Sequence, residues 1–259
     1  CTPARNNLTD WLSAYYANNT GAWLLERYPS LAASVKDIPA GQAAPLLKNQ
    51  AITQILLEET PWSRYAVQEA KRIERLQKFS DPQYIKQFNR QALDKFNNLQ
   101  RADGGFSWFP GMESSYTLTC FFLEKISGMV HAGVIADDME TLRPLVERAL
   151  AYVDNIFATR YEIKGFDVML YFYIRSAFPE VLLSPAARDA AGFFLPKIEE
   201  AWKGTSVMEK IYFALTYRNM GKTEALNDVL SSLEEYAVRN STTGCYFPNA
   251  VPFNGLMSS

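Results

Sequence analysis

The chain has 259 residues, 48% of them hydrophobic and 21% charged, with a formal net charge of −2. That composition can build a buried core and is not that of a disordered segment. It lacks the basic excess of a nucleic-acid binder and any Lys/Arg-rich run for a membrane surface. No apolar run approaches the roughly 18 residues of a membrane span. Residues 1–20 lack the basic start and apolar stretch of a signal peptide.

Apolar residues recur at helical spacing almost from end to end. Leu8, Trp11, Leu12, Tyr15 and Tyr16 open a first helix over about residues 6–27, with Pro29 as its stop. Leu46, Leu47, Ile52, Ile55 and Leu56 mark a second, closed by Thr60-Pro61. Trp62, Tyr65, Val67 and Ile73 mark a third. Asp81-Pro82 reads as an N-cap with Pro at the first helical position, opening a fourth helix to about Gln100. Ser114 or Ser115 caps a fifth, through Leu118, Phe121, Phe122 and Ile126. Further helices are expected over Asp138–Tyr161, Phe166–Phe178, 185–202 behind Ser184-Pro185, Ser206–Met220 and Thr223–Arg239. That makes ten, with short connections and no strand of useful length. The expected class is all-α, built of antiparallel helix hairpins stacked side by side.

One stretch breaks the pattern: Asp103-Gly104-Gly105-Phe106-Ser107-Trp108-Phe109-Pro110-Gly111-Met112-Glu113-Ser114-Ser115. A phosphate-cradling loop would need a Lys-Ser/Thr or a flanking strand, and neither is present. The glycines read instead as turn residues supplying positive φ, and the aromatics as burying against a neighbouring hairpin. A partial copy follows the last helix, Gly244-Cys245-Tyr246-Phe247-Pro248 and then Gly255-Leu256-Met257-Ser258-Ser259. Asp103, Gly104, Gly105, Phe106, Trp108, Phe109 and Gly111 are therefore read as a recurring structural joint. If that joint repeats, the polypeptide is expected to continue with at least one further helix.

Catalytic constellations are not legible. The acidic pairs Glu58-Glu59, Asp137-Asp138, Glu199-Glu200 and Glu234-Glu235 are adjacent, so on a helix they diverge by about 100° and cannot face each other across a cleft. The single histidine, His131, falls at an expected helix C-terminus, where a cation is favoured. Cys1, Cys120 and Cys245 form neither a disulfide framework nor a metal-ligand spacing. No catalytic residue, metal or cofactor is expected. Trp11, Tyr15, Tyr16, Trp108 and Phe109 remain as a candidate stacking surface for a glycan or peptide.

The run Leu99-Gln100-Arg101-Ala102-Asp103-Gly104-Gly105-Phe106-Ser107-Trp108-Phe109, followed by Ser114-Ser115-Tyr116-Thr117-Leu118-Thr119-Cys120-Phe121-Phe122, resembles the thioester-domain region of the α-macroglobulin and complement family. Asp10-Trp11-Leu12-Ser13-Ala14-Tyr15-Tyr16-Ala17-Asn18 and Leu57-Glu58-Glu59-Thr60-Pro61-Trp62 resemble its bacterial branch, as in Bacteroides-like bacteria. The resemblance implies an α/α toroid, a ring of six inner and outer helix pairs. Ten helices make five pairs, hence an incomplete ring within a larger multidomain protein that continues beyond both ends. It implies a protease inhibitor or trap in the periplasm or cell envelope. Cys1 could then be a lipidated start, as in an outer-membrane lipoprotein, or an arbitrary boundary. The expected partners are neighbouring domains of the same polypeptide and target proteases.

The family's covalent chemistry needs Cys-x-x-Gln, and no cysteine here has Gln three residues on. Gly111 stands where reactive relatives place a histidine. The resemblance therefore implies a thioester-less, non-catalytic module. Two alternatives stay open: a glycan- or peptide-binding toroid module, and a toroid lyase, glycosidase or cyclase-like enzyme.

Overall fold

The computed structural model describes residues 2–37, 76, 78–135, 139–159, 165–242 and 244–248. The helices expected around Leu46–Leu56 and Trp62–Ile73 lie outside the described residues. Backbone contacts divide the chain into two units, Cys1–Asn6 with Asp10–Lys95 and Asn7–Thr9 with Phe96–Ser259.

The first unit holds most of α1 (Leu8–Arg27), α2 (Pro29–Asp37) and most of α3 (Pro82–Leu99). Asn19 and Asn89 are both buried, and their carboxamides exchange hydrogen bonds of 3.0 and 2.8 Å. Two buried amides that satisfy each other escape the penalty of an orphaned polar group. Trp11 stacks on Phe88 beside them, ring centroids 5.8 Å apart. Asp81 caps α3 as expected, its carboxylate accepting the Gln83 N–H at 2.9 Å. The first helix ends at Arg27, as expected, and Pro29 has a second use. It occupies the first turn of α2, where its missing N–H would have had no partner anyway, so the chain leaves helix only at Tyr28.

The second unit holds α4 (Tyr116–His131), α5 (Met139–Thr159), α6 (Gly165–Ser176), α7 (Pro185–Ala201), α8 (Val207–Asn219) and α9 (Thr223–Tyr236). Serines start three of them. Ser115 accepts from Leu118 N–H, Ser184 from Ala187 N–H, and Ser206 forms a reciprocal capping box with Glu209. The helix expected over Thr223–Arg239 is shorter. It stops at Tyr236, and Val238–Asn240 pairs antiparallel with Gly244–Tyr246 as a hairpin, β1 and β2. The turn explains the change of state. The Asn240 side chain accepts the Thr242 N–H at 2.7 Å, and Gly244 takes φ +79°.

Helices in this unit alternate between two layers. α4 packs on α6 and α6 on α8, while α5 packs on α7. Consecutive helices also touch, α4 with α5, α5 with α6, α6 with α7 and α8 with α9. Burial follows the layers. Every residue from Leu118 to Leu123 in α4 and from Val168 to Ile174 in α6 is buried. In α5 the buried set is Leu142, Leu145, Val146, Ala149, Leu150, Val153, Asp154 and Phe157, one stripe at helical period. Helices apolar on all sides belong inside, and striped ones belong outside. The described residues are thus overwhelmingly helical, with nine helices and one small hairpin. Eight of these helices match the sequence reading; α2 is additional to it.

Phe157 is the centre of the α5, α6 and α7 contact. It is 1% exposed, stacks on Tyr171 with centroids 3.8 Å apart, and meets Phe172 and Phe194 at 5.9 and 5.5 Å. Phe157→Ala is expected to lower the unfolding free energy by about 3–5 kcal/mol. Ser206→Ala, which removes only a cap, is expected to lower it by about 1 kcal/mol. Urea midpoints at unchanged m-value measure both.

Candidate functional site

The Asp103–Ser115 stretch separates into a buried clasp and an exposed tip. In the clasp the chain leaves α3, turns, and pairs with itself. Gln100 bridges Phe106, and Phe106 bridges Ser115. Arg101 N–H donates to the Gly105 carbonyl at 2.8 Å, Ser107 N–H to Leu99 at 3.0 Å, and Ser115 N–H to Phe106 at 2.8 Å. Asp103 organises the turn, its Oδ1 accepting from Gly105 N–H at 3.0 Å and from the Ser114 hydroxyl at 2.6 Å. Phe106 is fully buried against Phe122, centroids 4.3 Å apart, and its N–H donates to the Thr119 hydroxyl at 2.9 Å.

The two glycines serve different needs. Gly104 has φ +89°, and a Cβ there would lie 2.2 Å from the Arg148 carbonyl oxygen on α5. Gly105 has ordinary φ, but a Cβ would lie 2.6 Å from Ser114 Cβ and 2.9 Å from the Tyr152 ring. Positive φ is therefore the reason at Gly104, and close approach the reason at both. Burial of the aromatics holds for Phe106. Trp108 is half-buried, while Phe109 is 45% exposed with Pro110, Gly111 and Met112 around it. Gly111, at φ +88°, has nothing within 4 Å of the point where a Cβ would stand.

Gln100 carries a role that the sequence does not announce. Its side chain donates to the Gly104 carbonyl and to the Leu145 carbonyl, each at 2.9 Å, while its oxygen accepts from Arg148 Nε at 2.8 Å and from Nη2. Gln100 stands in the quoted motif, but Leu145 and Arg148 lie 45 and 48 positions on and give no local signal. No histidine takes part in these contacts. His131 ends α4, its Nδ1 donating to the Ser127 carbonyl at 2.9 Å.

The candidate stacking residues are spread over both units. In the first, Tyr15 is completely buried and offers no ring face, Trp11 is half-buried on Phe88, and Tyr16 is 41% exposed. In the second, Trp108 and Phe109 sit on the tip. Among the described residues no His, Cys, Asp and Glu cluster could hold a metal ion, and no helix is long and apolar enough to cross a membrane. Cys120 is buried and Cys245 is exposed on β2.

A second constellation goes beyond the sequence reading. Asp154 of α5 is 4% exposed and accepts a hydrogen bond from Tyr171 Oη at 2.9 Å. Arg175, one turn beyond Tyr171 on α6, brings Nε to 3.5 Å from the same carboxylate oxygen, and its Nη2 donates to the Val181 carbonyl at 2.6 Å. Burial pushes the Asp154 carboxyl above its usual range, against the opposing pull of Arg175 and of the Tyr171 hydrogen bond. Burial also pushes the Tyr171 phenol well up, and the Asp154 charge adds to it. Two hollows flank the α6–α7 connection. One, of about 560 Å³, is lined by Arg175, Arg188 and largely apolar groups including Phe172, Phe178 and Leu195. The other, of about 430 Å³, includes Asp154 and Ser184 in its lining. The i, i+4 pair Tyr171 and Arg175 on a largely apolar helix is the sequence signal that could have found part of this group.

Gly104→Ala is expected to cost about 2–5 kcal/mol, through left-handed strain plus a clash with backbone. Gly111→Ala has the strain alone and is expected to cost about 1–2 kcal/mol. Equal losses in thermal melts of the two variants would remove the steric role assigned to Gly104. A pH dependence follows from the buried phenols. Tyr212 is pushed well up by burial and by Glu124, and Tyr217 is pushed up to about 12 by burial and by Glu199. With Tyr171 they keep their protons in the folded chain after the unfolded chain loses them near pH 10. The folded state then binds more protons, so stability is full below about pH 10 and falls as pH rises through 12. A spectrophotometric phenol titration should show these three ionising late, together with unfolding, and the phase should shrink in Tyr217→Phe.

Comparison of the chain with protein families, with curated proteins and with solved structures found no match.

Proposed function

We propose that the chain is a non-catalytic, thioester-less module of a bacterial α-2-macroglobulin-type protease inhibitor or trap, working in the periplasm or cell envelope. The observation that carries this reading is how the Asp-Gly-Gly-Phe motif is used. Its Asp103 carboxylate, its backbone N–H groups and the Gln100 amide are engaged within the clasp and with α5. That is the use expected of a joint in a helical scaffold. The alternation of α4, α6 and α8 in one layer with α5 and α7 in the other supports an arc of an α/α toroid. The cysteines, none with Gln at the third following position, support a module without covalent chemistry. Its role is then mechanical: it packs on neighbouring domains of the same polypeptide and rearranges when a bait segment elsewhere is cut.

A binding module is the second reading, favoured by the arginine-lined hollow beside α6 and α7.

The test is incubation of the polypeptide that carries this domain with a panel of proteases. Cleavage of a large protein substrate is expected to fall while cleavage of a small chromogenic peptide persists. Undiminished cleavage of the large substrate by every protease would overturn the inhibitor reading.

A further inference from the structure

We propose that the hollow of about 560 Å³ between α6 and α7 binds a small carboxylate carrying an apolar body, with Arg188 and Arg175 taking the carboxylate. The volume falls in the range of small-ligand sites, and so does the chemistry of the wall. Phe172, Phe178, Leu195 and Met220 supply apolar surface. The lining contains two arginines and no acidic residue, so an anion is the complementary guest.

Arg175 supplies the second, independent reason. Its side chain is 9% exposed; Nε faces Asp154 in an ion pair without a formed hydrogen bond, and Nη1 has no hydrogen-bond partner and is shut off from water. Its one ion-pair partner among the described residues, Asp154, is 3.5 Å away and is shared with Tyr171. An unfilled donor on a buried guanidinium is costly, and a ligand oxygen arriving with a slight turn of the guanidinium fills it. Arg188 lies on the first turn of α7, exposed, and makes no ion pair among the described residues. It is the group that meets the anion first. The rim is apolar and uncovered: Leu182 is 83% exposed and Met220 45%. An apolar body lying across them leaves water, at about 25 cal/mol per Å² of area removed.

A carboxylate on an apolar body comes either as a free aliphatic acid or as the C-terminal residue of a peptide. The experiment is calorimetric titration of the whole chain with decanoate, with 1-decanol, and with a tetrapeptide ending in Phe as its free acid and as its amide. Saturable one-site binding is expected for at least one of the two acids, at least tenfold tighter than for its uncharged counterpart. Which acid binds identifies the source. Arg188→Ala, on an exposed side chain, is expected to weaken binding about tenfold, and Arg188→Lys to restore part of it. Gly192 lines the hollow and has open space where a Cβ would stand. Gly192→Leu is therefore expected to block binding while the thermal midpoint holds or rises. The proposal is overturned if neither acid binds, if the uncharged counterparts bind equally well, or if Arg188→Ala and Gly192→Leu leave affinity unchanged. It does not depend on the inhibitor reading, and either can fail alone.

Discussion

One carboxamide fixes the joint on which the second unit is built. Gln100 is the first residue past α3, and it is tied at once to the turn that follows, through Gly104, and to α5, through Leu145 and Arg148. Both ends of the amide are used. A side chain with two donors and one acceptor oxygen can join three backbone and side-chain groups from separate segments, which an apolar residue cannot do. The contact with Leu145 spans 45 positions, so its effect is one of placement: it sets the start of α4 against the middle of α5. The glycines answer to the same demand. The α5 backbone comes so near to Gly104 that no side chain fits there, and that approach puts the Leu145 carbonyl within reach of Gln100.

Given the clasp, layering of the helices follows from composition. α4 and α6 carry runs of six and seven consecutive buried residues, and such helices are stable only when enclosed. α5 carries polar residues between its apolar positions and closes the outside. α7 is different. Ala187 is its one buried residue, while Phe193 is 59% exposed. A helix so weakly covered draws little stability from packing. Its N-terminal Ser184-Pro185 cap and its contact with Phe157 through Phe194 hold it, and its exposed flank borders the hollow.

Helix start points are legible in the sequence because they rest on local chemistry. Ser115, Ser184, Ser206 and Asp81 each announce a helix through a side chain that reaches two or three residues on. Stops are less legible. Pro29 reads as a terminator because a helix precedes it, but the same residue opens α2, and nothing local separates the two uses. The β1–β2 hairpin is hidden because Ala237-Val238-Arg239 continues the helical pattern, and the competing signal lies in the Asn240 side chain and Gly244 beyond it. In the partial repeat, both copies set a short antiparallel pairing after a helix, Gln100 with Phe106 and Asn240 with Gly244. The first lies against the core and the second is exposed, a difference of tertiary setting that no local pattern encodes. In the Asp154–Tyr171–Arg175 group only the Tyr171 and Arg175 spacing is local; Asp154 comes from another helix, and no local pattern pairs it with them.

Two cationic side chains of this unit, Lys210 fully buried and Arg175 largely so, show why the hollow is read as a site. Lys210 is 1% exposed and makes no ion pair among the described residues, yet its ammonium is well provided for. It donates to the Lys203 carbonyl at 2.6 Å and lies 5.3 and 5.6 Å from the ring centres of Trp202 and Tyr236. A carbonyl and two ring faces compensate a compact charge, and they draw the short turn Trp202–Gly204 onto α8. Arg175 has a formal counter-charge and is nonetheless the worse satisfied. Its Nη1 has no hydrogen-bond partner, which costs on the order of 1–3 kcal/mol. If Arg175 served only to stabilise the fold, a hydrophobic residue of similar size, with Asp154 replaced to match, would do better. The cost is understandable if the guanidinium waits for an acceptor that arrives with a ligand. The apolar wall and the second arginine line the same hollow as Arg175.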